Sequence, residues 1–450
     1  MRWLYSLLMA LAQVGLRRKL VRRARAEPLY GEAVPERFGR YTTPWPDAPG
    51  PTVWLHAVSL GETRTAALLL GPLRQALPGM RLLLTHGTAT GRAEGARLLQ
   101  AGDAQVWQPW DSSGPVQRFL KHFRPDIGIL METEIWPNLV AACQQQGVPL
   151  VLANARLSEH SYQKTQRLAW LARPAYRALT AVWAQTPDDA RRLQALGAPV
   201  QGVLGNLKFD AHPDPVQWAA GRQARARLAR PVALLASSRE GEEAQLLQIL
   251  KQKMALGPVD IGVSAMDSVA NELQWLIVPR HPQRFDEVAA LVQAQGFGVV
   301  RRSQASPWPP AAQPEQPGGG QAPTIWLGDS LGEMALYYGL AEVALLGGSF
   351  EPLGGQNLIE AAACGCPVLM GPHTFNFAEA AELALAAGAA QRLGTLAQAV
   401  AGAQALLAQP ARQQAMAEAG RRFAGAHAGA AQRTVAAVRA LLDQQRVDRL

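Results

Sequence analysis

Between Leu345 and His373 the chain reads LLGGSFEPLGGQNLIEAAACGCPVLMGPH, a run whose residue types suit the holding of a phosphate. Val343 to Leu346 reads as a buried strand. Gly347, Gly348, Gly354 and Gly355 follow in the loop, a helix starts near Asn357, and a second strand covers Pro367 to Met370. Glycines let backbone N–H groups approach a ligand with no Cβ in the way. Asn357 and Glu360 stand three residues apart at the start of the helix, whose free N–H groups and positive dipole end attract an anion. Glu360 can reach back to a ribose or base hydroxyl. Glycine loop, helix start and carboxylate together describe a nucleotide-sugar donor site, although an ordinary well-capped α/β turn uses the same residue types.

A second set of polar residues sits in the first half. His56–Ala–Val–Ser59–Leu–Gly61–Glu62–Thr63 joins a strand to a helix, a suitable position for a general base at Glu62. Glu62 is equally placed to cap the helix, and both roles stay open. Glu132–Thr–Glu134–Ile–Trp136–Pro137–Asn138 follows the apolar run IGILM. Arg156 in ANARLS and Lys208 in GNLKFD are the expected partners of these carboxylates. A catalytic cluster and a structural ion-pair network both fit.

These residues lie at the ends of short apolar runs that alternate with helical patterns. From Thr52 to about Asp210 the runs are VWLHAV, RLLLTH, DIGILME, PLVLANAR, AVWAQT and VQGVLGN. Residues 213–229 form a polar helical connector. The rhythm then resumes with PVALLASS, LQWLIVPRH, FGVVRRS, TIWLGDS, VALLGGS and PVLMGP. This is the βαβ pattern of parallel sheets, which place ligands at the carboxyl ends of their strands. The expectation is α/β, with two Rossmann-like, doubly wound domains facing a central cleft. The expected divisions are 1–26, 27–212, the connector 213–229, and 230–450, with inserts at 254–272 and 303–323. The second insert, rich in Pro, Gly and Gln, is expected to be a surface loop.

At 450 residues the chain is long enough for two such cores. Three cysteines exclude a disulfide framework, and Cys364–Gly–Cys366 lacks the second pair of a zinc site. A net charge of +9 calls for an anionic partner: nucleic acid, anionic lipid or a phosphorylated substrate. The N-terminus separates these. Trp3 to Leu16 is apolar apart from Ser6 and Gln13, and Arg17, Arg18, Lys19, Arg22, Arg23 and Arg25 follow. The apolar run is too short to span a bilayer, which takes about 20 residues. Its charge lies on the wrong side for a signal peptide. The pattern fits a membrane-associated helix with its basic flank on anionic lipid, rather than nucleic-acid binding. A buried first helix with a solvated basic flank is the competing reading.

The residues also resemble a known family, the 3-deoxy-D-manno-octulosonic acid (Kdo) transferases of Gram-negative lipopolysaccharide assembly. The resemblance is carried by HAVSLGE (His56 to Glu62), METEIWPN (Met131 to Asn138), LVLANARLSEHS (Leu150 to Ser161) and LKFD (Leu207 to Asp210). EGEE (Glu240 to Glu243), VPRHPQRF (Val278 to Phe285), GDSLGEMALYYGLAEVALLGGSF (Gly328 to Phe350), GGQNLIEAAA (Gly354 to Ala363) and PVLMGPHTFNF (Pro367 to Phe377) extend it. The basic N-terminal helix and ERFG (Glu36 to Gly39) fit as well.

The resemblance implies a GT-B fold, acceptor side first and donor side second. It implies transfer of Kdo from CMP-Kdo to the lipid A precursor (lipid IVA), with inversion, at the cytoplasmic face of the inner membrane. It makes Glu62 the proton acceptor and assigns Glu132 and Lys208 to transition-state stabilisation. Pro279, Arg280, Leu331, Gly332, Glu333, Asn357, Leu358, Ile359 and Glu360 become contacts to CMP. Ser59, Gly61, Glu134 and Arg156 are expected beside the acceptor. Gln356 and Arg239 stand where the family usually has histidine. No Asp-x-Asp sequence occurs, so neither a metal nor another cofactor is expected. The rival readings are another GT-B nucleotide-sugar enzyme, a 2-epimerase or UDP-sugar transferase, and a non-catalytic nucleotide-sugar-binding membrane protein.

Overall fold

The computed structural model describes residues 2–46, 49–256, 273–310 and 323–448. The parts of the expected inserts at 257–272 and 311–322 lie outside the described residues. Two compact units emerge: residues 1–210 together with 427–450, and residues 211–426.

The first unit is built on a parallel sheet of seven strands. These are β1 (Thr52–His56), β2 (Arg81–His86), β3 (Ala104–Trp107), β4 (Ile127–Met131), β5 (Leu150–Ala155), β6 (Ala181–Ala184) and β7 (Val200–Val203), in the order β3-β2-β1-β4-β5-β6-β7. Strands β1, β4, β5 and β6 are buried throughout, which is why they read as continuous apolar runs. Both faces carry helices over separate cores, one around Trp54, Phe119 and Phe123, the other around Leu55, Leu69 and Leu73. The chain runs outward from β1 to β3, then returns to β4 on the other side of β1. That reversal creates a switch point between the carboxyl ends of β1 and β4.

The second unit repeats the plan. Its strands are β8 (Val232–Ser238), β9 (Gln274–Pro279), β10 (Gly298–Arg301), β11 (Thr324–Leu327), β12 (Val343–Leu346), β13 (Val368–Met370) and β14 (Ala390–Arg392), in the order β10-β11-β9-β8-β12-β13-β14. Here the switch point lies between β8 and β12. The helix Pro215–Arg225, within the expected connector, packs on the helix Met334–Leu340 and belongs to this unit. Their contact depends on Gly221, where a Cβ would meet the Leu336 carbonyl at 2.2 Å.

The structure differs from the expected division at the C-terminus. Residues 427–450 belong to the first unit rather than to a 230–450 domain. The helix Ala430–Asp448 packs on the helix Leu60–Ala76 and buries Ala430, Val435, Val438 and Leu442 in the first unit's core. Asp210 fixes the helix start, its carboxylate accepting from the backbone N–H groups of Gly429 and Ala431.

The N-terminal segment is one helix, Arg2–Ala26, including the basic flank expected to follow it. Leu20 and Ala24 pack with Tyr30 and Trp107, whereas Leu7, Leu8 and Leu11 are 50, 57 and 68 % exposed. No helix among the described residues is long and apolar enough to cross a membrane.

Candidate active site

In the first unit the loop after β1 turns directly into the helix Leu60–Ala76. Ser59 is the N-cap, its hydroxyl oxygen accepting from the Glu62 N–H at 3.4 Å. Glu62 reaches back: its Oε1 accepts from the Ser59 hydroxyl at 3.0 Å and its Oε2 from the Val58 N–H at 2.9 Å. This reciprocal capping holds the carboxylate in one orientation at the strand end. Capping therefore positions Glu62 without excluding a role as base. Burial raises its pKa above the ordinary carboxylate range, and the negative charge of Glu132 adds to that. Gly61 is exposed, and its carbonyl accepts from the Thr65 hydroxyl at 3.1 Å.

Across the switch point, Glu132 follows β4 with a φ of 58°, a left-handed conformation uncommon outside glycine. Its N–H donates to the Ala153 carbonyl at 3.1 Å, and its own carbonyl accepts from the Arg156 N–H at 3.2 Å. The buried Glu132 carboxylate pairs with Arg156 Nε at 2.8 Å and with Lys208 Nζ at 4.0 Å. Lys208 is carried on the short turn Leu207–Asp210, which is anchored where the Leu207 N–H donates to Asn154 Oδ1 at 3.0 Å. Asn154 sits in the left-handed region at the end of β5. Glu134 accepts from the Trp136 indole N–H at 3.0 Å. Burial pushes Glu134 up to about 7, with the nearby Glu62 and Glu132 charges adding to the rise. Thus Glu62, Glu132, Glu134, Arg156 and Lys208 share one electrostatic neighbourhood. Carboxylates with raised pKa values beside a switch point are equipped to take a proton from a hydroxyl.

In the second unit the candidate donor residues follow the ends of β9, β11 and β12. Pro279 closes β9, and the Arg280 N–H donates to the Ser238 carbonyl at 3.0 Å. Arg280 Nε donates to Gln356 Oε1 at 3.0 Å, which ties the β9 end to the glycine loop. Gly347 lies so close to β8 that a Cβ would sit 2.4 Å from the Ser237 carbonyl. Gly354, at φ +90°, would clash there with Asn376 and Phe375. Asn357 is the N-cap of Leu358–Ala363, its Oδ1 accepting from the Ile359 N–H at 3.1 Å. That helix has only six residues, so its dipole is a smaller anion-attracting term than a long helix would supply. Leu358 and Ile359 are fully buried, leaving Glu360 as the half-buried member, its pKa raised by burial.

The Leu331–Gly332–Glu333 turn follows β11. Leu331 is 67 % exposed, Gly332 adopts φ +77° and its carbonyl accepts from Gln217 at 3.0 Å. Glu333 is held by Arg302 through Nη2 at 3.0 Å and Nε at 3.2 Å, and by the Ser330 hydroxyl. Glu242, fully buried, accepts from the Gly348 N–H at 2.8 Å and the Arg239 N–H at 2.9 Å, stapling the β8 and β12 ends together. Glu243 likewise holds Arg284 bidentately, at 2.7 and 3.2 Å. In the sequence, EGEE entered only as one segment of the resemblance, with no role given to Glu242 or Glu243.

Sequence reading missed Arg37, Trp110 and the hydrogen-bonding role of His56, which line a recess beside Val58 in the first unit. ERFG, which contains Arg37, was the available signal.

Two parallel, doubly wound domains with polar residues at their switch points define the GT-B class. UDP-GlcNAc 2-epimerase from Neisseria meningitidis, solved bound to UDP-GlcNAc, shares this fold at TM-score 0.53 and 15 % identity, over 86 % of this chain and 99 % of that one. The sequence relatives narrow the class. A family profile described as 3-Deoxy-D-manno-octulosonic-acid transferase (kdotransferase) matches residues 32–211. The 3-deoxy-D-manno-octulosonic acid transferase of Bordetella pertussis is 46 % identical over 411 residues, 90 % of each chain. That of Haemophilus influenzae is 31 % identical over 357 residues, 78 % of each chain. The chain belongs to the 3-deoxy-D-manno-octulosonic acid transferase family.

Proposed function

We infer that this protein is a glycosyltransferase that moves Kdo from CMP-Kdo to the lipid A precursor in lipopolysaccharide biosynthesis. The observation that carries this reading is the 46 % identity to the Bordetella pertussis transferase across nine-tenths of both chains. The geometry of the first unit supports it with a fixed, raised-pKa carboxylate at a switch point.

In the proposed reaction an acceptor sugar hydroxyl attacks the anomeric carbon of Kdo. The new C–O bond forms as the bond to the phosphate oxygen breaks, and CMP departs with the electron pair. Glu62 takes the hydroxyl proton through whichever carboxylate oxygen exchanges its capping bond for the substrate. One displacement inverts the anomeric centre. Glu132, with Lys208, is assigned to the charge that shifts at the transition state. Arg280 and the backbone N–H groups around Asn357 meet the monophosphate, with Leu331, Gly332 and Glu333 beside the nucleoside. These roles replace the metal clamp of diphosphate donors, so transfer should persist in excess EDTA. Loss on chelation with recovery in magnesium would reject metal independence. The same reading locates the enzyme at the cytoplasmic face of the inner membrane, and the exposed leucines of the N-terminal helix support contact with a lipid surface.

The direct test is incubation of the purified protein with CMP-Kdo and lipid IVA, followed by mass spectrometry of the lipid. Addition of one or more Kdo residues is expected. Unchanged lipid with a folded protein that binds CMP would sink the reading.

A further inference from the structure

We propose that the recess between the N-terminal helix and the ends of β1, β2 and β3 binds a phosphate monoester of the acylated acceptor sugar, with an acyl chain lying in the adjoining apolar groove. The proposal rests on the glycolipid-acceptor reading given above and names the part of the acceptor that the first unit recognises.

The recess has a volume of about 260 Å³, and Lys19, Arg23, Arg37, His56, Thr88 and Trp110 are among its lining residues. Arg37 is the decisive one. It is only 3 % exposed, and no carboxylate pairs with it among the described residues. Its guanidinium lies 3.9 Å from the Trp107 ring centre and 5.4 Å from that of Trp110. Nη2 donates to the Gly87 carbonyl at 3.2 Å, while the buried Nε has no partner among the described residues. Burying an arginine without an anion is unfavourable, and stacked rings compensate only in part. The aromatic surround also holds the planar fork in one orientation, which suits a phosphate.

Lys19 and Arg23 lie one helical turn apart, so both reach the same recess from the N-terminal helix. His56 contributes a different group. Its Nδ1 is engaged by Thr85, 2.9 Å from the hydroxyl and 3.2 Å from the carbonyl, which leaves Nε2 as the free ring nitrogen. The fully buried Nε2 has no partner among the described residues, and as donor or acceptor it suits a sugar hydroxyl. Burial holds the ring neutral by lowering its pKa to about 3. Cations beside a neutral imidazole match a phosphorylated sugar better than a bare anion.

Two neighbours fix the orientation of the ligand. Val58 lines the recess, and its N–H holds Glu62 Oε2 at 2.9 Å, so the phosphate would sit close to the proposed base. On the other side Leu20 and Tyr30 are shared with a groove of about 420 Å³, whose walls include Val21, Ala24, Val34 and Phe38. Two adjoining cavities that share Leu20 and Tyr30, one lined by Lys19, Arg23 and Arg37 and the other by mostly apolar side chains, fit one amphiphile carrying both chemistries.

The test uses full-length protein in detergent micelles and isothermal titration calorimetry with three probes: a diacylated glucosamine 4-phosphate, the same glycolipid without phosphate, and phosphatidic acid. Wild type should bind the phosphorylated glycolipid at least about tenfold more tightly than the other two. The double variant Lys19→Ala, Arg23→Ala changes exposed side chains only, so it should fold normally and lose most of that preference. Arg37→Lys should lose it too, with binding of the dephosphorylated glycolipid unchanged in both variants. Equal weakening toward both glycolipids would overturn the proposal. So would phosphatidic acid binding as tightly as the phosphorylated glycolipid, which would mark a general lipid-headgroup site. A phosphate preference without Kdo transfer would reject the proposed reaction and leave the site standing; transfer without the preference would reject the site alone.

Discussion

Glu62 carries two tasks on one carboxylate. It caps the helix Leu60–Ala76 and is the proposed proton acceptor. Glu62→Gln retains an amide oxygen for one capping bond, so the protein should fold with a loss of about 1 kcal/mol from the weaker cap. Transfer should fall by a factor on the order of 100 to 10,000, because the amide cannot take the proton. Steady-state rates beside thermal melts separate the two effects; near-normal turnover would remove Glu62 from its role. Glu134 makes a different prediction. Its folded pKa of about 7 lies above the ordinary value of 4.5, so the folded state binds the proton more tightly than the unfolded chain. Its contribution is fully present below about pH 4.5 and declines as pH rises toward 7. Glu134→Gln should therefore gain melting temperature relative to wild type across that window and level off above it. A difference that stays flat from pH 4.5 to 8 would show that Glu134 titrates normally.

The N-terminal helix is an element with two different halves. Its first turns expose Trp3, Leu7, Leu8 and Leu11, while from Leu16 onward it closes the recess and the groove. Ser6 also donates to Asn138 Oδ1 at 2.9 Å, so the early turns are docked on the first unit rather than trailing from it. The halves should separate by mutation. Leu7→Ser, Leu8→Ser and Leu11→Ser together should move protein from the membrane to the soluble fraction, while activity on detergent-dispersed acceptor persists. Deleting residues 1–26 would instead take Lys19 and Arg23 away and uncover Tyr30. Retention of the triple variant in the membrane fraction would place the membrane contact elsewhere.

At the scale of the whole molecule, the chain ends where it began, on the first unit. Val435, Val438 and Leu442 are buried there, and each such side chain contributes about 1.5–3 kcal/mol by leaving water. Their sum is comparable to the roughly 5–15 kcal/mol that stabilises a typical domain. A chain truncated after Ala426 should therefore lose the cooperative melting of the first unit while the second unit still melts as a separate transition. Calorimetry of the truncated chain checks this, and an unchanged first-unit transition would show that the helix is dispensable.

Repeated apolar runs determined the parallel α/β plan, because strands buried on both faces must be apolar along their whole length. The same logic hid two of the four edge strands: β3 contains Gln105 and β14 reads Ala–Gln–Arg, since an edge strand is only partly covered. Turn chemistry was also legible, and Asn357 caps its helix where the spacing placed it. The sequence likewise named Glu62, Glu132, Arg156 and Lys208, each just past a strand. Tertiary structure alone decided that Glu62 feels the charge of Glu132, since that follows from β1 pairing with β4, Val53 beside Ile127, 74 residues on. It also decided that the last helix crosses back to the first unit, and that Arg37 is buried among aromatic rings without a carboxylate partner among the described residues. Local propensity and periodicity report which face of an element is covered; they carry no information about which distant segment does the covering, and that is where the charge of a site is set.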